Sequence, residues 1–239
     1  MTITLHHLGI SQSERIVWLL EELGLEYKLV HHTRDPVMAP ESLESVPGNE
    51  TGLKSPFIED DQAKVTLSES AAIMEYIIQR YGRGKFALKP DDKHYADYLY
   101  WFHYANGTLQ ANMVTSMFLA AAQLSPDIMI QQFADQRLHA GVKLMDDRLK
   151  DNKWLAGDEF TAADMISLYS VTTQRYFGPL VNLAPYSNLL RWIQDCAARP
   201  AYQRAMEKGD PEMKPLTSAE APTKGLMETG GTAGDSWKK

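Results

Sequence analysis

Cysteine is the scarcest resource of this 239-residue chain, Cys196 being its single thiol. One sulfhydryl cannot make an intrachain disulfide, a C-x-x-C redox pair or a thiolate zinc site, so the disulfide-stapled secreted scaffolds are excluded and a cytoplasmic setting is expected. Basic charge is also short: Lys plus Arg number 24 against 31 Asp plus Glu, a formal net charge of −7. That balance lacks the electrostatic footprint of a nucleic-acid or anionic-membrane binder. No apolar run approaches the ~18 residues of a membrane span. The opening MTITLHHLGISQSERIVWLLEELGL is broken by polar residues and an Arg where a signal peptide needs an unbroken apolar stretch. GxxxxGK[ST], GxGxxG, GxSxG and HExxH are missing too, which removes the motif-bearing routes to nucleotide, esterase and zinc-protease chemistry.

What is present is an ordinary globular composition, 44% hydrophobic and 23% charged, in a chain long enough for one large or two small domains. Residues 2–8, rich in β-branched and apolar types, predict a strand ending at Gly9. Ile16, Val17, Leu19, Leu20 and Leu23 fall at helical spacing and stop at Gly24, with Ser11–Glu14 in the form of a capping box. Tyr27–Val30 predicts a second strand, and this β-α-β order implies a parallel pair. After an irregular stretch rich in Pro and Gly, with a short helix near 40–44, residues 56–58 and 65–67 read as an antiparallel hairpin and 70–81 as a helix. Beyond Pro90 the pattern is helical only, at 93–124, 127–150, 162–176, 187–198 and 201–208. Thr161 and Asp164 sit as a carboxylate capping box. The expected organisation is α/β followed by all-α: residues 1–82, a linker at 83–92, a helical domain at 93–208, and a flexible or surface-draped tail at 209–239. The tail holds 5 of the 15 glycines, too many for a packed helix.

Three places offer chemistry. Ser11 and Ser13 lie where the first strand hands over to the first helix, whose free N–H groups and positive dipole end favour an anion, a thiolate included; a plain N-cap is the competing reading. Ser55-Pro56 opens the third strand, where a proline's missing N–H needs no partner, and a trans bond is the default. Glu69-Ser70 starts the third helix, a second anion site suited to a carboxylate or, again, a simple cap. The pairs His6-His7 and His31-His32 are poor joint metal ligands, because adjacent strand residues point to opposite faces; no metal is expected. The sequons at Asn49 and Asn106 read as chance matches.

With the domain order, the stretches HHLGISQSERIVWLLEELGLEYKL, LKSPFIED, LSESAAIMEYIIQRYG and WLAGDEFTAADMISL resemble the cytosolic glutathione S-transferases. The likeness is to serine-type members of fungi and bacteria, over about residues 2–205. The resemblance implies a thioredoxin-like domain that binds glutathione as co-substrate and a helical domain that supplies the electrophile pocket. It implies Ser11 as the hydroxyl on the glutathione sulfur, with Ser13 in reserve. Ser55 would pair its backbone with the cysteinyl part beside a cis Pro56, Lys54 would reach the glycyl end, and Glu69 and Ser70 would hold the γ-glutamyl group. Tyr104 and Asn106, on the first long helix, are candidates for the electrophile pocket. The implied activity is conjugation of the glutathione thiolate to a hydrophobic electrophile in a detoxifying cytoplasmic homodimer. A peroxidase, isomerase or lyase acting on a dedicated metabolite is the alternative, and a non-enzymatic binding or regulatory module a second one. The distance of Cys196 from residue 11 argues against the cysteine-type members.

Overall fold

In the computed structural model of the chain, residues 3–49, 55–125 and 127–239 are described. Two compact units divide them: Met1–Phe86 with Ala198–Pro215 and Leu226–Lys239, and Ala87–Ala197 with Leu216–Gly225.

The first unit is built on a four-stranded mixed sheet of β1 (Ile3–Leu8), β2 (Tyr27–His32), β3 (Phe57–Asp60) and β4 (Val65–Ser68), ordered β2-β1-β3-β4. β1 runs parallel to β2, with Leu5 opposite Leu29, and antiparallel to β3, with Leu5 opposite Ile58. All six residues of β1 are buried, as a central strand covered on both faces requires. Helix α1 (Glu14–Leu23) makes the crossover and ends where Gly24 turns left-handed at φ 64. There Gly24 N–H donates to the Glu21 carbonyl and Leu25 N–H to that of Leu20, a C-cap that a Cβ would oppose. A short α2 (Glu41–Glu44) precedes β3, and α3 (Ser70–Arg80) follows β4. The predicted β-α-β then β-β-α order is the observed one.

The second unit is all-helical. It contains α4 (Tyr95–Tyr104), α5 (Ala111–Ala121), α6 (Met129–Asp151), α7 (Ala162–Val171) and α8 (Ser187–Ala197). The helix expected over 93–124 is interrupted by a π-helical segment, Ala105–Gln110, around Asn106-Gly107. The helix expected over 162–176 ends at Val171 and continues as a 3-10 turn, Thr173–Tyr176. The capping box of α7 is formed on both sides, Thr161 Oγ1 accepting from Ala163 N–H and Asp164 Oδ2 from Thr161 N–H.

The segment grouping differs from the sequence expectation at the C-terminal end. Helix α9 (Pro200–Gly209), expected among the helices of 93–208, belongs to the first unit and lies on α1. Glu21 accepts from Arg204 Nε at 3.1 Å and Lys208 Nζ at 2.6 Å, Glu22 accepts from Arg199 Nη2 at 2.9 Å, and Trp18 meets Tyr202 edge-on. An amphipathic pattern reveals that a helix has a buried face but not which unit covers it. Within 209–239, expected as a flexible or surface-draped tail, several groups are held. Met213 and Leu226 are buried, Lys214 N–H donates to the Trp237 carbonyl, and Thr232 N–H donates to that of Pro36. No helix among the described residues is long and apolar enough to cross a membrane.

Candidate functional site

The chain leaves β1 at Leu8 and enters α1 through Gly9, Ile10 and Ser11. The expected Ser11–Glu14 capping box is not made. Ser13 is the N-cap, its side chain makes no cap bond, and Ser11 Oγ accepts from Ser13 N–H at 3.2 Å. The hydroxyls are engaged elsewhere. Ser11 Oγ and Ser13 Oγ are 2.7 Å apart, and Ser13 Oγ is 2.7 Å from His7 Nδ1 and 3.3 Å from the Leu8 carbonyl oxygen. His7 Nε2 in turn lies 3.1 Å from Asp210 Oδ2, and Asp210 Oδ1 accepts from Ile10 N–H at 2.8 Å. Ser11, Ser13, His7 and Asp210 are all buried.

Burial works to raise the Asp210 carboxyl, but the neighbouring His7 and the Ile10 N–H hold it below the usual carboxylate value. An ionised Asp210 accepts only, so His7 Nε2 donates in that bond, and a His7 carrying that one proton presents Nδ1 as an acceptor toward Ser13. Arg34 pins the same turn, donating from Nε to the Gly9 carbonyl at 2.9 Å and from Nη2 to that of Ile10 at 3.0 Å.

The other predicted residues converge on this turn within the first unit. Ser55 Oγ accepts from Leu8 N–H at 3.3 Å. The Ser55–Pro56 bond is cis, as the resemblance implied and against the trans default, which rests on frequency and knows nothing of the surrounding fold. Arg15, 1% exposed, donates from Nη1 to Gln12 Oε1 at 3.0 Å and to Ser70 Oγ at 3.2 Å. It thereby joins the N-terminus of α1 to that of α3. Glu69 occupies the N-cap position of α3 at φ 73, a backbone region costly for a residue with a Cβ. Lys54 lies outside the described residues.

The two pocket candidates belong to the helical unit. The Tyr104 hydroxyl donates to the Gly141 carbonyl at 3.0 Å, and burial, with Tyr100 nearby, pushes it up to about 12. Asn106 is half-buried in the π segment. A cavity of about 360 Å³ in the first unit is lined by Gly9, Ile10, His31, His32, Arg34 and Asp210 among others, but not by Ser11, Ser13, Ser55, Pro56, Glu69 or Ser70.

Sequence reasoning missed His7 and Asp210, which are 203 positions apart. His7 was read only as half of an unpromising histidine pair and Asp210 as part of a tail. The alternation rule did hold: His6 bonds His32 Nε2 at 3.0 Å while His7 faces His31. No group of three or more metal-ligating side chains occurs among the described residues.

Residues 5–85 match the model of the glutathione S-transferase N-terminal domain, and residues 130–200 match that of the C-terminal domain. A curated relative, glutathione S-transferase 3 of Schizosaccharomyces pombe, is 31% identical over 222 residues, covering 86% of this chain and 87% of the relative. This chain belongs to the glutathione S-transferase family. The fold agrees with that membership. The crystal structure of a glutathione S-transferase from Actinobacillus pleuropneumoniae superposes with a TM-score of 0.76 at 29% identity, covering 87% of this chain and 93% of that one. A Pseudomonas fluorescens glutathione transferase family member, solved with two glutathione bound, has a TM-score of 0.67 at 19% identity, covering 86% and 92%. The protein is therefore a glutathione S-transferase family enzyme with a thioredoxin-like glutathione S-transferase fold.

Proposed function

We propose that this enzyme conjugates the thiolate of glutathione to a hydrophobic electrophile, with glutathione as co-substrate and no metal. The observation that carries the reading is the Arg15 bridge from the Ser11 turn to Ser70. It holds two hydroxyl-bearing helix N-termini in one unit, which suits a ligand presenting a thiolate and a carboxylate. In this reading Ser11 donates to the sulfur, with Ser13 as the reserve. Ser55 and Pro56 meet the cysteinyl part, Lys54 the glycyl end, and Glu69 and Ser70 the γ-glutamyl group. Residues 1–82 carry this half, while Tyr104 and Asn106 border the electrophile in a cytoplasmic, detoxifying homodimer. Membership of the glutathione S-transferase family supports the choice of co-substrate.

If Ser11 and the α1 terminus lower the thiol pKa by about two from near 8.5, the stabilisation is about 2.7 kcal/mol, near the upper end for a charge-assisted hydrogen bond plus a helix terminus. Titrating the ultraviolet thiolate absorbance of bound glutathione tests this. Ser11→Ala is expected to return the thiol toward its ordinary value, and an unchanged titration removes Ser11 from the mechanism. Turnover of a generic aryl halide supports conjugation; tight glutathione binding without turnover points instead to a dedicated isomerase, peroxidase or lyase.

A further inference from the structure

We propose that His7, oriented by Asp210, is the proton acceptor for the glutathione thiol, reached through the hydroxyls of Ser13 and Ser11. The inference rests on the reading that Ser11 meets the sulfur.

Each hydroxyl has one proton to give, so the buried chain has a direction. With Asp210 ionised, His7 Nε2–H points at Asp210 and Nδ1 accepts. Ser13 gives its proton to that nitrogen across 2.7 Å in preference to the longer contact with the Leu8 carbonyl oxygen at 3.3 Å. Ser13 Oγ is then open to the Ser11 proton across a further 2.7 Å, which leaves Ser11 Oγ an acceptor toward an incoming thiol. In that state the hydroxyl cannot donate to a sulfur. Ionisation reverses every link. The S–H proton passes to Ser11, the Ser11 proton to Ser13, and the Ser13 proton to His7 Nδ1. The result is a thiolate receiving the Ser11 O–H bond and an imidazolium beside the Asp210 carboxylate. After the thiolate forms its bond to the electrophile, the proton leaves His7 for solvent by way of Asp210, which lines a cavity.

Two features argue that the chain does more than fix the turn. Asp210 alone satisfies Ile10 N–H, and Ser13 supplies no cap bond, so a buried imidazole aimed at Ser13 adds nothing to capping. Burying four polar groups is costly unless they act together. The groups facing His7 also leave the role to it. Ser13 approaches from α1, Asp210 from the end of α9, and His31 from β2 with ring centroids 5.7 Å apart. His32, also on β2, is held below the ordinary histidine value by burial first. Burial first, then the neighbouring His7, holds His31 below the ordinary histidine value despite Asp210, so His31 is neutral at pH 7.

The decisive variant is Asp210→Asn. Its amide oxygen keeps the Ile10 bond, while its NH2 turns to His7 and forces the opposite tautomer, the change that disables serine-hydrolase triads without moving them. Three quantities are measured on the full-length protein: affinity for S-methylglutathione, which lacks the thiol; the thiol pKa of bound glutathione; and protons released to buffer on glutathione binding, from calorimetry in buffers of different ionisation enthalpy. In wild type, fewer protons than thiolates should reach the buffer. In Asp210→Asn, S-methylglutathione affinity should be unchanged, the thiol pKa should rise by at least one, about tenfold less thiolate at low pH, and each remaining thiolate should release a full proton. Ser13→Ala should behave alike and Ser13→Thr should restore wild-type values. This pair carries the test if Asp210→Asn does not fold. Wild-type thiol pKa and proton release in both Asp210→Asn and Ser13→Ala, with Ser11→Ala still impaired, overturn the relay alone. Failure of the wild type to bind glutathione overturns the parent reading and the relay with it.

Discussion

Asp164 is the single side chain whose removal should do most harm to the helical unit. It is fully buried, and its two oxygens serve three N–H donors: Leu155 N–H at 2.9 Å and Trp192 Nε1–H at 2.8 Å on Oδ1, and Thr161 N–H at 2.9 Å on Oδ2. Thr161 Oγ1 lies 3.4 Å from Oδ2 as well. Asp164→Ala strands those donors where water cannot reach them, at about 1–3 kcal/mol each. Part of that is offset because a charge no longer has to be buried. The expected net loss is about 3–5 kcal/mol, at the severe end for a point mutation. For a chain of this length each kcal/mol moves the melting temperature by about 2–4 °C, so calorimetry at pH 7 should record a fall of about 6–20 °C. Thr161→Ala removes the cap bond from Ala163 N–H and the long 3.4 Å contact with Asp164, and should cost about 1 kcal/mol. A melting temperature for Asp164→Ala within about 2 °C of wild type, or equal to that of Thr161→Ala, would refute the claim that one carboxylate organises the 154–164 loop, α7 and Trp192 together.

Two further outcomes follow from the first unit and from acid titration. At φ +69, Gly231 has the Pro36 carbonyl oxygen only 2.6 Å from where a Cβ would sit. Gly231→Ala should therefore lift residues 226–239 at a cost of about 1–3 kcal/mol, read as faster proteolysis of the C-terminal segment; unchanged cleavage would show that the contact yields easily. Acid should act on the two units in opposite senses. Glu21, which burial raises but Lys208, Tyr27 and Arg204 outweigh, and Asp210 both titrate below their ordinary values. Their contribution is present above the unfolded pKa and lost as pH falls through the folded one. Burial pushes Asp164 from 3.8 up to about 6, so its contribution is full below 3.8 and fades as pH rises through about 6. Hydrogen exchange near pH 3 should show α9 losing protection before α7; simultaneous loss would contradict this order.

Local regularities were legible wherever a short-range rule governed them. The β-α-β order, the stop at Gly24, the hairpin of β3 and β4 and the Thr161–Asp164 cap each depend on residues within a few positions, and the structure carries them. The break of the first long helix was readable only as Asn106-Gly107; that it takes the form of a π segment depends on packing within the helical unit. At the α1 terminus the local rule was overruled: Ser11 and Glu14 have capping-box spacing, yet the hydroxyls turn to each other and to His7. Spacing cannot anticipate that choice, because the competing acceptor arrives from a neighbouring strand.

From the sequence alone, the lone cysteine and acidic balance excluded other classes, the change from mixed to helical patterning near residue 90 indicated the fold class, and the stretches around Ser11, Ser55-Pro56 and Glu69-Ser70 carried the resemblance to the family. Periodicity and short motifs encode which elements form, since each element answers to its own few residues. Only the tertiary structure decided that α9 and residues 209–215 and 226–239 join the first unit and that Asp210 meets His7. Those outcomes depend on which surfaces find each other across as many as 203 positions, and burial rewards apolar area and satisfied hydrogen bonds without regard to separation along the chain.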